Sequence, residues 1–229
     1  MELSEALRTT GAVREFRPDP VPDAVVVDIL ETARFAPSGG NRQAWSVILL
    51  KDTRLRRGLR EIYRRGWYEY LAMGAAGLVP WAPLGDRTAE AAALAAAPSF
   101  AETGAAAGGF AEHLDEVPVL LVLLADLRAL AAVDRDLPRY TFIGGASIYP
   151  FAWSVLLAAR DRGLAGVMTT MAARYEDEVK ALLSVPAEQA VAGVLALGHP
   201  VHQPTRLRRR PVSSFATVDR AAGPALAGP

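Results

Sequence analysis

Four short apolar runs, separated by segments with helical spacing, restrict the possible fold of this chain more than any other feature. Such runs, rich in branched and aromatic residues, are typical of strands buried on both faces of a sheet. Helices between such strands cover the two faces of the sheet, so the pattern predicts an α+β sandwich. The predicted strands are 45–50, 117–125, 164–170 and 190–197.

Helical spacing of apolar residues predicts four helices, and a fifth region is less regular. Gly163 occupies the position of a C-terminal helix glycine after the third of these helices. Residues 74–109 are rich in Ala, Gly and Pro, which predicts helices broken by mobile loops. The predicted helices are 22–35, 52–73, 143–162 and 175–183.

Composition excludes several classes of function. The 25 Lys and Arg balance 25 Asp and Glu, so no net field attracts nucleic acid or an anionic membrane. The absence of cysteine excludes disulfides, thiolate nucleophiles, iron-sulfur clusters and cysteine-ligated zinc. Neither a signal peptide nor an apolar stretch long enough for a membrane span is recognisable, so we expect a soluble cytoplasmic protein.

Histidine chemistry and metal binding are not indicated. His113, His199 and His202 are scattered, and none has the spacing of a metal site or a catalytic triad. His199 and His202 bracket Pro200 in a predicted exposed turn. We therefore predict no metal.

The turn at 38–43, Ser-Gly-Gly-Asn-Arg-Gln, has two interpretations. Paired glycines let a ligand approach the backbone, and amide side chains offer donors and acceptors to a flat heterocycle. Alternatively, it is a plain helix-to-strand turn whose glycines allow positive φ. Arg8, Arg14 and the arginines within 206–210 likewise are either phosphate ligands or solvated surface charges.

Three blocks of sequence together resemble the nitroreductase family of flavoproteins, in matching order and spacing over nearly the whole chain. The middle block is the most specific, although Ala44 stands where the family usually has proline. The blocks are RTTGAVREFRPDPVP (8–22), APSGGNRQAW (36–45), and GLAGVMTT (163–170) leading through LLSVP (182–186) to VLALGHP (194–200).

The resemblance implies a nitroreductase-like three-layer sandwich, with a central, mostly antiparallel sheet flanked by helices. It implies a domain-swapped homodimer with FMN at the subunit interface, in which the helix from Ile143 lies. Residues 1–229 then form a single domain. We expect 74–110 to be an insertion or lid and 199–229 a C-terminal extension.

The resemblance also implies a set of FMN-binding residues. Arg14 faces the N1 and O2 edge of the flavin, and the backbone at Thr169 and Thr170 faces N5, so these three tune the flavin. The partner subunit's turn supplies Ser38, Gly39 and Asn41, with Gln43 as structural support. The remaining positions are Thr10, Gly11 and Ala12 in the N-terminal segment, Ser147 and Pro150 on the interface helix, and Arg208, Arg209 and Arg210 at the phosphate.

The N-terminal segment departs from the family pattern of arginine, arginine or histidine, then serine. Here the three residues are Thr10, Gly11 and Ala12, so an expected phosphate arginine is missing. Arg8 or the cluster at 208–210 could supply the lost charge. Otherwise FMN binds more weakly, by about 1–3 kcal/mol per missing charged hydrogen bond.

The activity that the resemblance implies is a ping-pong reaction without a dedicated catalytic residue. NADH or NADPH reduces the flavin and leaves, and a nitroaromatic, quinone or related small-molecule acceptor then takes two electrons. Alternatives are reductive dehalogenation, azoline oxidation, flavin fragmentation, or a non-catalytic flavin-binding or sensing protein. Five aromatic residues either stack on substrates or fill the core and the dimer interface: Trp67, Tyr68, Tyr70, Trp81 and Phe110.

Overall fold

A computed structural model describes residues 1–107 and 109–226. Its centre is an antiparallel four-stranded sheet of order β1-β2-β4-β3. All four predicted strands are confirmed, with ends shifted by at most two residues. The strands are β1 (Trp45–Leu49), β2 (Val119–Asp126), β3 (Ala165–Thr169) and β4 (Gln189–Gly198).

Seven α-helices surround this sheet in the described residues. Four short 3-10 helices lie between the α-helices and the strands, and a fifth lies in the C-terminal segment. They are Gly39–Asn41, Phe110–Glu116, Ile143–Ser147, Met171–Tyr175 and Val212–Ser214. The α-helices are α1 (Leu3–Thr9), α2 (Asp23–Ala33), α3 (Thr53–Ala75), α4 (Arg87–Leu94), α5 (Ala97–Ala107), α6 (Tyr149–Asp161) and α7 (Glu176–Leu183).

The side chains of strand β2 show that the sheet is covered on both faces. Its side chains alternate between two hydrophobic clusters, as strand geometry requires. Leu121 and Leu123 face the cluster that contains residues of α2 and α6, whereas Leu120 and Val122 face the one that contains α3. All four leucine and valine side chains are fully buried. The molecule is therefore the three-layer α+β sandwich that the sequence predicted.

The predicted continuous helix at 143–162 is wrong. A 3-10 helix ends at Ser147, Ile148 separates it from the α-helix, and α6 begins at Tyr149. Pro150 explains the break, because proline lacks a backbone donor and is tolerated only in the first turn of an α-helix. Gly163, with φ +73°, ends this helical region as predicted.

The helix predicted at 175–183 is confirmed as α7, which follows a 3-10 turn and begins with three acidic residues. Helix α1 was not predicted, since seven residues are too few to reveal a helical period. The proposed lid includes residue 108 and the C-terminal extension includes 227–229, which lie outside the described residues.

The N-terminal segment runs along the edge of the sheet. Ala12 forms a parallel bridge with Gly166 of β3, and the Val13 amide donates to the Gly166 carbonyl at 3.0 Å. Further along, the Arg17 amide donates to the His199 carbonyl at 2.8 Å. The chain around Arg14 is thereby fixed beside β3.

No helix in the described residues is long and apolar enough to cross a membrane.

Candidate functional site

Arg14, Tyr63 and Thr169 form the centre of the candidate site. The Thr169 hydroxyl donates to the hydroxyl of the fully buried Tyr63 at 3.5 Å. Burial raises the pKa of the Tyr63 phenol, and the Thr169 hydrogen bond and the positive charge of Arg14 oppose that rise. Sequence reasoning missed Tyr63, whose only signal is its place on the apolar face of α3.

A groove of about 670 Å³ opens beside this centre. Arg14 and Arg17 line one part of it, and Trp67, Phe110 and His113 line another. The groove thus combines cations with aromatic surface. A planar molecule with anionic or electron-rich edges matches both.

An aromatic row extends from Tyr63 along α3. The ring centroids of Tyr63 and Trp67 are 6.3 Å apart, those of Trp67 and Tyr70 5.5 Å, and those of Tyr70 and Trp81 6.3 Å. Phe110 meets Tyr63 edge-on at 6.0 Å. Neighbouring rings in the α3 part of the row are nearly parallel, with interplanar angles of 12°. Together these stacked rings form an aromatic wall that begins at the candidate site.

Tyr68 does not belong to this wall. Its ring is buried against Gly104, where an added Cβ would lie 2.3 Å from it. Its hydroxyl donates to Glu112, and burial together with this hydrogen bond raises the pKa of Tyr68 to about 12. Of the five aromatic residues singled out in the sequence, Tyr68 therefore has a core role.

The Ser38–Gln43 turn is held by its own side chains and by the segment before α6. The backbone N–H of Gln43 donates to the Ser38 hydroxyl at 2.9 Å, and the backbone N–H of Gly39 donates to the Ser147 hydroxyl at 3.0 Å. Gly40, Asn41 and Gln43 have φ of 60°, 51° and 50°. Left-handed conformations of non-glycine residues are sparsely populated and often found at ligand sites. The structure thus brings the Ser38 turn and Ser147 together.

The Ser38 turn lies far from Arg14 within one chain. The turn precedes β1, whereas Arg14 follows the bridge to β3, and these are the two edge strands of the sheet. Three strand spacings amount to about 14 Å. The single chain therefore does not gather all the predicted flavin residues at one place.

The C-terminal segment crosses the N-terminal one. Gln203 donates from Nε2 to the Thr9 carbonyl at 3.1 Å. A Cβ on Gly11 would lie 2.9 Å from Leu207 and 3.3 Å from Pro204. The crossing segment therefore leaves little room for a side chain at position 11. The exposed arginines at 208–210 directly follow Leu207, the residue that contacts Gly11.

Histidines and carboxylates form no metal centre in the part of the chain that the structure describes. His113 pairs with Glu116 at 3.3 Å, and both side chains are exposed. Thr170 is exposed at the end of β3, directly after the buried Thr169. The chemistry available at the site is thus that of cations, hydroxyls, backbone amides and aromatic rings.

Several known proteins are similar to this chain in sequence and fold. The model of the Nitroreductase family matches residues 7–199. A Thermus thermophilus NADH dehydrogenase is 26% identical, covering 93% of each chain, and human iodotyrosine deiodinase 1 is 25% identical, covering 93% of this chain and 67% of the relative. The solved structure of Vibrio harveyi NADPH:FMN oxidoreductase complexed with NAD+ superposes with a TM-score of 0.64 at 20% identity, covering 95% of this chain and 76% of the other.

The matched residues include the centre of the candidate site, formed by Arg14, Tyr63 and Thr169, and also the Ser38 turn with Ser147. The matched residues also include every strand of the sheet. On this evidence the chain belongs to the nitroreductase family.

Proposed function

We propose that this protein is an FMN-dependent oxidoreductase that uses NADH or NADPH to reduce nitroaromatic, quinone or related acceptors. The observation that carries the proposal is the placement of Arg14 beside Tyr63 and Thr169, at the opening of a groove with an aromatic wall. The names of the relatives, an NADH dehydrogenase and an NADPH:FMN oxidoreductase, support the same reaction class.

The residues present are suited to FMN. The hydroxyl oxygen of Thr10 is buried and has no hydrogen-bond partner, which is costly unless a ligand supplies one. Gly39 leaves a cradle that a Cβ would fill, 3.4 Å from the Ser147 hydroxyl. The exposed arginines at 208–210 provide donors for a phosphate, as Arg8 does from α1. The donor set therefore matches an anionic, heterocyclic cofactor.

Each part of the site has a separate task. When bound, FMN supplies two-electron hydride chemistry at N5. Arg14 would place a cation at the edge of the heterocycle that gains electron density, and the backbone at Thr169 and Thr170 would donate toward N5. Thr10, Gly11 and Ala12 would hold the cofactor from the N-terminal segment, and one of Arg208, Arg209 and Arg210 would bind its phosphate.

The active unit in this proposal is a homodimer. The separation of about 14 Å between the edge strands favours a site in which the partner subunit supplies Ser38, Gly39 and Asn41. Ser147 and Pro150 lie where α6 begins. Tyr149 and Trp153 on the same helix are 42% and 39% exposed, and large exposed aromatic residues often mark an interface.

Replacing Trp153 by arginine will weaken the dimer about 10- to 100-fold, because a buried interfacial tryptophan is usually a binding hot spot. Sedimentation velocity across a concentration series measures the dissociation constant, and circular dichroism checks that the subunit stays folded. Flavin should dissociate together with the dimer. An unchanged dimer dissociation constant would remove α6 from the proposed interface.

The aromatic row suits an acceptor with a flat ring. Trp67 lines the groove that also contains Arg14, and the row continues outward to Tyr70 and Trp81. Trp81 has a φ of 52° and a buried indole N–H without a partner, two features that a bound polar group would help to explain. We therefore propose that the described part of 74–110 acts as a lid, whose Trp81 contacts the acceptor together with Trp67 and Tyr70 of α3.

An anaerobic absorbance titration tests the proposal. Protein reconstituted with FMN is mixed separately with NADH and NADPH, and the flavin band is followed until it bleaches. We expect rapid bleaching by at least one nucleotide and recovery of the band on addition of a quinone or a nitroaromatic. Absence of FMN binding would contradict the proposed site.

Reductive dehalogenation is the second candidate, supported by the similarity to human iodotyrosine deiodinase 1 along 93% of this chain. In the same titration, an iodinated tyrosine would then restore the flavin band while a quinone would not. Bound FMN that neither nucleotide reduces would instead favour a non-catalytic flavin-binding protein.

A further inference from the structure

Arg160, on the last turn of α6, is a half-buried cation without a matching anion. Its Nη2 atom donates to the Thr9 hydroxyl at a long 3.5 Å, and its Nε atom is buried without any hydrogen-bond partner. Among the described residues, no carboxylate lies within ion-pair distance of it. A buried guanidinium donor without a partner is unfavourable, so this position calls for an acceptor.

Other arginines of the fold show what a structural role looks like. Arg56 donates to the carbonyl oxygens of Leu50, Asp115 and Val117, and Arg162 pairs with Asp28 and also donates to Thr32. These guanidinium groups connect neighbouring elements through several hydrogen bonds. Arg160 makes one long hydrogen bond, which leaves most of its donors available.

Arg160 contacts the N-terminal segment, in which one expected phosphate arginine is missing. Thr9, its contact, directly precedes Thr10, whose buried hydroxyl oxygen also lacks a partner. The C-terminal segment crosses the same stretch, with Gln203 bound to Thr9 and Leu207 packed on Gly11. An arginine at position 11 would collide with that crossing segment.

We propose that Arg160 provides the phosphate-binding cation that the N-terminal segment has lost, so that it binds the terminal phosphate of FMN from α6. Its planar guanidinium has donors spaced to match two phosphate oxygens. The free Thr10 hydroxyl would donate to the same group. This inference rests on the proposed FMN-dependent function and extends it by a residue outside the three sequence blocks that carry the resemblance.

The test compares two flavins that differ only in the phosphate. The dissociation constants of FMN and riboflavin are measured by quenching of flavin fluorescence, with wild-type protein and the variant Arg160→Gln. We expect FMN binding to weaken about 10- to 100-fold and riboflavin binding to stay unchanged, because the lost interaction is a charged hydrogen bond to the phosphate. Arg160→Lys should recover part of the FMN affinity.

Arg162→Gln is the matched control, since it removes the same charge two residues away from a guanidinium that already pairs with Asp28. We expect this variant to leave the ratio of the two dissociation constants unchanged, even if its thermal stability falls. An unchanged ratio in Arg160→Gln, or an equal loss of affinity for both flavins, would overturn the assignment of Arg160 to the phosphate. It would not affect the proposed FMN-dependent function. A wild-type protein that binds no FMN would instead overturn the proposed function.

Discussion

Replacing Arg14 by alanine will slow reduction of the flavin by its nicotinamide nucleotide well beyond tenfold, with the fold retained. The reason is electrostatic. Arg14 is the cation whose charge reaches the buried Tyr63 and Thr169 pair, at the end of β3 where we place N5. A charge-assisted hydrogen bond of this kind contributes about 1.5–3 kcal/mol, which corresponds to a factor of about 13 to 160.

Stopped-flow absorbance of flavin-loaded protein measures the rate of reduction, and a redox titration measures the flavin potential, which we expect to fall. Arg17→Ala is the control, because Arg17 lines the same groove but pairs with Asp19 at 3.3 Å. That variant should reduce its flavin at nearly the wild-type rate. Unchanged kinetics in flavin-loaded Arg14→Ala would remove Arg14 from the chemistry.

Replacing Gly166 by alanine will lower the free energy of unfolding by about 1–3 kcal/mol, the usual cost of overpacking. The added Cβ would lie 2.4 Å from Leu197 and 2.5 Å from the Ala196 carbonyl oxygen, which belongs to the backbone of β4. Strand β3 must therefore move away from β4. Because Ala12 and Val13 pair with Gly166, the segment that carries Arg14 should move too, and flavin affinity should fall.

Gly74→Ala makes the same chemical change where it should do no harm. Among the described residues, no atom outside the adjacent helix backbone lies within 4 Å of the added Cβ. Gly74 is in α3, where alanine is favoured over glycine by up to about 1 kcal/mol. Urea denaturation of both variants gives the two free energies. Equal unfolding midpoints for the two variants would contradict the packing argument.

The sequence alone predicted the central sheet with good accuracy. Apolar runs identify buried strands because both faces of β2 meet helices, and this burial is visible as continuous hydrophobicity. Helix breaks were harder to predict. Pro150 divides the segment at 143–162, yet apolar residues continue on both sides of the break.

The residues of the candidate site also fall into two groups, those that sequence motifs indicate and those that only the structure shows. Sequence motifs identified Arg14, Thr169 and the Ser38 turn, since each belongs to a short block whose residue order is informative by itself. Tyr63 and Arg160 have no such block. Tyr63 meets Thr169 across 106 positions of sequence, and Arg160 meets Thr9 across 151.

The sequence by itself thus determined the strands, most of the helices and the family to which the chain belongs. Only the tertiary structure decided which side chains surround the motifs, and it showed that the C-terminal segment crosses Gly11. The physical reason is that local spacing controls which face of an element is apolar. The partners of a polar side chain depend instead on how distant elements pack against one another.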